Sequence, residues 1–292
     1  FSWGIPVPNN PNHVIYVWFD ALTSYLDYHK DDEELIHFLA KDILKFHAIY
    51  WVCFLFAFNI KPPQKLYVHS YILNKGQKTG KSLIEAGKQK PINLNELLDK
   101  YGSEALRFYL LSSFQTENDS EFDENSLIES YNTNLVNGLG NLHHRCLPFV
   151  NENTSKININ SLSDAEKTFK DSITDLYNKS ISQWSNYEHQ QAIQTAIEIV
   201  RKSNKFFDDN KPWKLKKDNS EESYHKINTI IALTLESVAR TSFLFLPVVP
   251  ILSESILSHL GIQFSSFPDS SFFFIENKII KKPEFPIISR LK

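Results

Sequence analysis

Lys41-Asp42-Ile43-Leu44-Lys45-Phe46-His47-Ala48-Ile49-Tyr50-Trp51, continuing through Val52 to Phe58, is the stretch on which the fold of this chain turns. From Ala48 to Phe58 it is apolar throughout, the longest such run in the chain. That length suits a buried helix and is too short to cross a bilayer. Short β-prone runs lie on either side. Val14 to Phe19 reads as one strand, and Lys65 to Leu73 as another that ends in the turn Asn74-Lys75-Gly76. Strand, helix, strand is the unit of a parallel α/β sheet.

Further along, Leu94 to Lys100 and Ser103 to Leu111 read as helices separated by Gly102. Near residue 120 the helical period takes over. Leu127, Tyr131, Leu135, Leu142 and Cys146 mark one apolar stripe. Ser163 with Glu166 three residues on is a helix start signal for Asp164 to Ser180. His189 to Phe207 repeats the pattern, Ile227 to Phe245 is long and strongly apolar, and Ser253 to Leu260 closes at Gly261. The chain therefore reads as an α/β region over residues 1–120 and an all-helical region over 121–292, with a Ser/Phe/Pro-rich extended tail packed back onto the helices.

Composition narrows the function. A chain of 292 residues with a formal net charge of -3 is long enough for two cores and is not a generally basic nucleic-acid coat. Its two cysteines exclude a disulfide scaffold and a cysteine-based metal cluster. No segment reads as a membrane span. Residue 1 is Phe and the sequence contains no methionine, so the start reads as a cut edge.

Three clusters carry candidate chemistry. Asp20, after Val17-Trp18-Phe19, sits where open α/β sheets place ligands, or is simply a helix cap after a strand. Asp42 is positioned to cap the following helix, and His47 beside Phe46 reads first as a packing residue. Gly76-Gln77-Lys78-Thr79-Gly80-Lys81-Ser82 is a basic loop suited to polyphosphate. It ends like a P-loop, but Gly76 is one position out of register for the first glycine, which disfavours a P-loop hydrolase. In the helical region Asn137, Asn141 and Arg145 are spaced four apart, with Asn134 and His144 beside them. Amides and a guanidinium on one face suit base edges or phosphates, and Trp213 in Asn210-Lys211-Pro212-Trp213 offers a stacking surface. The plain alternatives are a solvated turn, a solvated stripe and an aromatic cover for the end of a bundle.

These residues, in order, resemble the methionyl-tRNA synthetase family of class I aminoacyl-tRNA synthetases, in its bacterial or organellar form. The likeness runs from Phe1-Ser2-Trp3-Gly4-Ile5-Pro6-Val7-Pro8 through Val17-Trp18-Phe19-Asp20-Ala21-Leu22 and Lys41-Asp42-Ile43 to Phe46-His47 and Trp51. It continues at Lys78-Thr79-Gly80-Lys81-Ser82, Tyr101-Gly102 with Leu106-Arg107-Phe108, Asn134 to Asn137, Gly140-Asn141-Leu142 with Arg145, Pro212-Trp213 and Phe285-Pro286. The resemblance implies the C-terminal half of a Rossmann-like catalytic domain, with its signature loop at 78–82, followed by an anticodon-binding bundle.

It also implies roles. Trp18, His47 and Trp51 would line the methionine pocket, Asp42 would position the amino acid or adenylate, and Lys78, Lys81 and Ser82 would meet ATP. Asn137, Asn141, Arg145 and Trp213 would read the CAU anticodon of tRNA(Met). L-methionine, ATP and that tRNA are the implied partners, Mg2+ the implied companion of ATP, and zinc is implied only with the family's connective insert. No resident metal site is expected. The implied compartment is the cytoplasm or an organellar matrix.

Several residues depart from the family. Thr79-Gly80 stands where the family has Met-Ser, and Leu39-Ala40-Lys41-Asp42 where Ile-Gly-Lys-Asp is usual. The expected reading is the latter part of a longer enzyme, inactive by itself. The alternatives are a tRNA-binding protein derived from a synthetase that has lost catalysis, and a related synthetase for Leu, Ile, Val or Cys. The Asn137/Asn141/Arg145 stripe with Trp213 argues against the second.

Overall fold

A computed structural model describes residues 3–28, 34–74, 76–78, 87, 92–156, 161–263, 273–283 and 286–292. The chain forms two compact units, one from Phe1–Thr79 with Gln115–Glu121, the other from Gly80–Phe114 with Phe122–Lys292.

In the first unit β1 (Pro6–Val7) and β2 (Asn10–Val14) make a hairpin, turned at Asn9, whose φ of 64° is left-handed. Helix α1 (Val17–Thr23) follows, then a tighter turn over Ser24–Tyr28. Strand β3 (Ile36–Ala40) pairs in parallel with β4 (Lys65–His69), Ile36 opposite Lys65 and Ala40 opposite His69. The connection between these parallel strands is helical. It opens as a 3-10 turn at Lys41–Ile43, widens to a π-helix over Phe46–Trp51 and ends as α2 (Val52–Ala57). Its buried stripe is His47, Trp51 and Leu55. Strand β5 (Ile72–Asn74) pairs antiparallel with β6 (Gln77–Lys78) and parallel with β7 (Ser120–Glu121). Gly76 turns the hairpin with φ 72°, a conformation open to glycine.

The strand–helix–strand unit is present, but its first strand is not Val14 to Phe19. Those residues end β2 and begin α1, which places Trp18 and Asp20 on a helix. A short, unbroken apolar run carries no period to separate the two states. The expected single strand over 65–73 is also two, because the backbone changes partners. Ser70 donates to the Thr116 carbonyl at 2.9 Å and Tyr71 to the Asp119 carboxylate at 2.9 Å.

The second unit begins with α3 (Leu94–Tyr101), capped by Asn93, and α4 (Ser103–Ser113) after Gly102. A continuous helix follows, as α5 (Glu124–Tyr131), a π-helical stretch over Asn132–Gly140 and α6 (Asn141–Cys146). Helix α7 (Asp164–Ser185) starts with the expected capping box, Ser163 and Glu166 each serving the other's backbone N–H. Then come α8 (His189–Asn210), the short α9 (Pro212–Leu215), α10 (Glu221–Phe245) and α11 (Pro250–His259). From Ile230 onward α10 is buried on all sides, so it forms the axis of the core, with Leu135, Ile173, Ile193 and Phe207 packed in the same cluster.

The tail packs back as its composition indicates. Phe273, Phe274 and Ile275 are buried, and the Glu236 carboxylate on α10 accepts from the N–H groups of Phe274 at 2.7 Å and Ile275 at 3.3 Å. The same carboxylate receives Arg240 Nε at 2.8 Å. Asn132 exchanges two hydrogen bonds of 2.9 Å with Leu291. A Cβ on Gly140 would lie 2.5 Å from Ile288, so the close approach of tail and helix requires glycine there.

Candidate functional site

In the first unit, α1, the turn after it, β3 and the π-helical crossover bring six aromatic and imidazole rings together. Trp18 stacks on Phe46 at 4.2 Å and meets His47 edge-on at 5.9 Å. The Tyr25 ring lies 5.7 Å from both His47 and Trp51. His37, from β3, completes the group at 5.5 Å from His47. Trp51 and His47 are fully buried, His37 nearly so.

The polar atoms of this cluster are matched. His47 Nδ1 lies 3.0 Å from the Ile43 carbonyl and Nε2 lies 3.1 Å from the Tyr25 hydroxyl. A carbonyl only accepts, so Nδ1 carries a proton and donates to it. Trp51 Nε1–H donates to His37 Nε2 at 3.2 Å, which requires that nitrogen to be unprotonated. Burial, with His47 adding to it, holds the His37 pKa below its ordinary value. The result is a set of packed, polarizable rings. Such rings favour an uncharged, soft side chain over a charged one.

Beside it on the same crossover lies a charged group. Asp42 does not cap the helix: the cap position is Ala40, and no side chain serves it. Its carboxylate instead accepts from Lys78 Nζ at 2.9 Å. Lys78 hangs 3.8 Å over the Tyr71 ring, and Lys41 lies 5.0 Å from the same ring. Lys41 in turn pairs with Asp119 at 2.6 Å. Hydrogen bonds from Lys78 and Tyr71 hold the Asp42 pKa low, and the bond to Asp42 raises that of Lys78. The bond from Lys41, followed by that from the Tyr71 N–H, lowers Asp119. Lys81 and Ser82 lie outside the described residues.

Sequence reading did not single out Tyr25, His37, Tyr71 or Asp119 as site residues. Tyr25 and His37 precede the crossover on other elements, and Asp119 returns to the first unit only through the short β7 segment. The alternation of β3, with His37 and Leu39 facing inward, is the one signal that marks His37.

In the second unit Arg145 and Trp213 are brought together. The Arg145 guanidinium lies 4.6 Å from the Phe207 ring and 5.9 Å from that of Trp213, reaches Asn204 Oδ1 at 3.4 Å and pairs with Asp208. Trp213 tilts against Phe207 and stays 39% exposed, enough to offer a ring face. Asn137 and Asn141 are exposed about one turn apart on the continuous helix that bears Arg145, while Asn134 is engaged with the Ser130 carbonyl at 2.9 Å. Among the described residues no group of three or more His, Cys, Asp or Glu could hold a metal ion, and no helix is long and apolar enough to cross a membrane.

Comparison with known proteins gives these groups a context. A methionine–tRNA ligase of Nostoc sp. is 34% identical over 277 residues, covering 89% of this chain and 51% of that protein. A mitochondrial methionine–tRNA ligase of Xenopus laevis is 34% identical over 278 residues, covering 89% and 48%. A crystal structure of the Mycobacterium tuberculosis methionyl-tRNA synthetase bound by methionyl-adenylate superposes with a TM-score of 0.80 at 27% identity, covering 98% of this chain and 58% of that one. The chain thus spans about half the length of the curated relatives it matches. The family described as tRNA synthetases class I (M) matches residues 1–147, and the chain belongs to that family.

Proposed function

We propose that this chain serves methionine–tRNA ligation, contributing the latter part of the catalytic domain and the anticodon-binding bundle. Methionine carboxylate attacks the α-phosphorus of ATP, giving methionyl-adenylate and pyrophosphate. The terminal ribose hydroxyl of tRNA(Met) then takes the methionyl group and releases AMP. The observation that carries the reading is the ring cluster of Trp18, His47 and Trp51, built on the crossover that also carries Asp42, the partner of Lys78. A thioether has no charge to recognise, so selection rests on shape and soft contact with ring faces. Asp42 positions the amino acid or adenylate. Lys78, with Lys81 and Ser82, meets the triphosphate, where negative charge shifts onto the leaving pyrophosphate.

Mg2+ enters this scheme with the phosphates rather than in a protein cage, as is usual for that ion. Zinc belongs to it only where the connective insert is present. Asn137, Asn141, Arg145 and Trp213 read the CAU anticodon, Trp213 by stacking on a splayed base. The cytoplasm or an organellar matrix suits the activity.

The experiment is methionine-dependent pyrophosphate exchange by a chimera in which these 292 residues replace the matching part of the full-length Nostoc relative. Exchange above background supports the ligase reading. One specific observation favours a second reading, a tRNA-binding protein without catalysis: Thr79-Gly80 alters the signature loop. Anticodon-dependent tRNA binding with no exchange by the chimera would establish it in place of the first.

A further inference from the structure

The second unit contains a cleft of about 530 Å³ between residues 150–156 and 277–282, lined in part by Asn151, Glu152, Lys156, Asn277, Lys278 and Lys282. Its two walls are sewn together. The Asn277 N–H donates to the Ser155 carbonyl at 3.0 Å, and Ser155 Oγ donates to the Lys278 carbonyl at 2.9 Å. Asn277 adopts a left-handed φ of 55°, which turns the chain where the seam begins. Asn151 is fixed from beneath by the buried Asn228 at 2.7 Å and by the Tyr224 hydroxyl at 3.0 Å. The cleft is therefore built by the fold, not by side chains lying loosely on a surface.

Its charge is unbalanced. Three lysines line it against one carboxylate, Glu152, a net of two positive charges on a chain whose total is -3. All three lysines are exposed, and among the described residues none forms an ion pair. Elsewhere in the unit Lys100, Lys170 and Lys205 are paired with carboxylates. The cleft also continues the Trp213 face. Lys216 donates to the Pro148 carbonyl at 3.3 Å and lies 5.4 Å over the Phe149 ring, directly before the first cleft residue, Val150. Phe149 in turn packs 6.2 Å from Phe207, the ring that carries Arg145 and Trp213.

We infer that this cleft binds phosphate groups of an RNA backbone, as a sequence-independent contact beside the Trp213 face. The inference rests on the reading of this unit as a tRNA binder. Backbone contacts fix register, base contacts select sequence, and only the former carry a strong salt dependence. Lys156, Lys278 and Lys282 would take the backbone while Trp213 and the two asparagines meet the bases.

The test is binding of fluorescent tRNA with a CAU anticodon, and of the same tRNA with another anticodon, to the 292-residue chain across a salt series. The K156A/K278A/K282A variant should lower affinity about tenfold for both tRNAs and reduce the slope of log K against log salt by about 2, since each lost phosphate contact removes ~0.7–0.9. Discrimination between the tRNAs should persist. Unchanged slope and affinity overturn the inference while leaving the anticodon reading intact. Loss of discrimination by Trp213→Ala alone marks the anticodon face as separate from the cleft. If the wild-type chain does not discriminate, the tRNA reading fails, and the slope change with a generic single-stranded RNA still decides the cleft. Inorganic phosphate is added at matched ionic strength. Full displacement of RNA by it would make this a free-anion site and overturn the RNA assignment.

Discussion

Lys78 donates to Asp42 across 2.9 Å and holds its ammonium group 3.8 Å from the centre of the Tyr71 ring. Both partners are about half exposed, so an incoming polyphosphate competes with Asp42 for this ammonium in open water. Asp42→Asn should therefore tighten binding of inorganic tripolyphosphate to the chain, roughly threefold, by removing the competing anion. Lys78→Ala should weaken it. Calorimetric titration of both variants checks this, and equal affinities would detach the pair from phosphate binding. In the chimera, Asp42→Asn and Lys81→Ala should each lower pyrophosphate exchange.

His37 accepts from the buried indole N–H of Trp51 at 3.2 Å. His37→Phe leaves that donor unpaired inside the fold and should cost about 1–3 kcal/mol in a urea titration. His37→Gln supplies a carbonyl acceptor and should recover most of the loss. Equal losses for the two would mean that ring volume, not the hydrogen bond, matters at this site.

Trp213→Ala removes an exposed ring face without opening the core. It should weaken binding of tRNA with a CAU anticodon by roughly ten- to a hundredfold, in line with ~1–3 kcal/mol per stacked base. Other tRNAs should be affected much less. A uniform loss for all tRNAs would remove Trp213 from base recognition.

His143 is buried and stacks on His259 with ring centroids 5.7 Å apart. Burial chiefly, with His259 and His144 adding to it, lowers its pKa to about 4. The fold thus holds His143 neutral, while the unfolded chain protonates it near pH 6.5. Its contribution is complete above about pH 6.5 and is lost as pH falls toward 4, amounting to at most ~3 kcal/mol. His259 is lowered by burial as well, so the pair loses stability in the same direction. Urea midpoints measured between pH 7 and pH 4, which span both protonation states, should fall less steeply for His143→Gln.

How much of this was legible from residue order differs by element. The helical unit declares itself because long amphipathic helices repeat their apolar residues many times, and Ser163–Glu166 forms the capping box its spacing implies. The six residues Val14 to Phe19 hold too little period to separate strand from helix. Asp42 looks like a cap in the sequence because its partner, Lys78, lies 36 residues away. Arg145 and Trp213 each stood out, but their meeting depends on Phe207 in a third helix. Tyr71 and Asp119 carry no signal in the sequence, because their meeting is set by a two-residue strand pairing with β5.

The bonds between Asn132 and Leu291 span 159 positions of chain, and the seam that Glu236 makes with Phe274 and Ile275 spans 38 and 39. A growing polypeptide leaving the ribosome can form α5 through α8 early, by local contacts. It cannot close this bundle until Leu291 has emerged. Non-local closure of that kind slows folding and prolongs exposure of the unfinished core. Phe274, Ile275 and Leu291, all far along the chain from their partners, thus act as the timekeeper of folding for the helical unit.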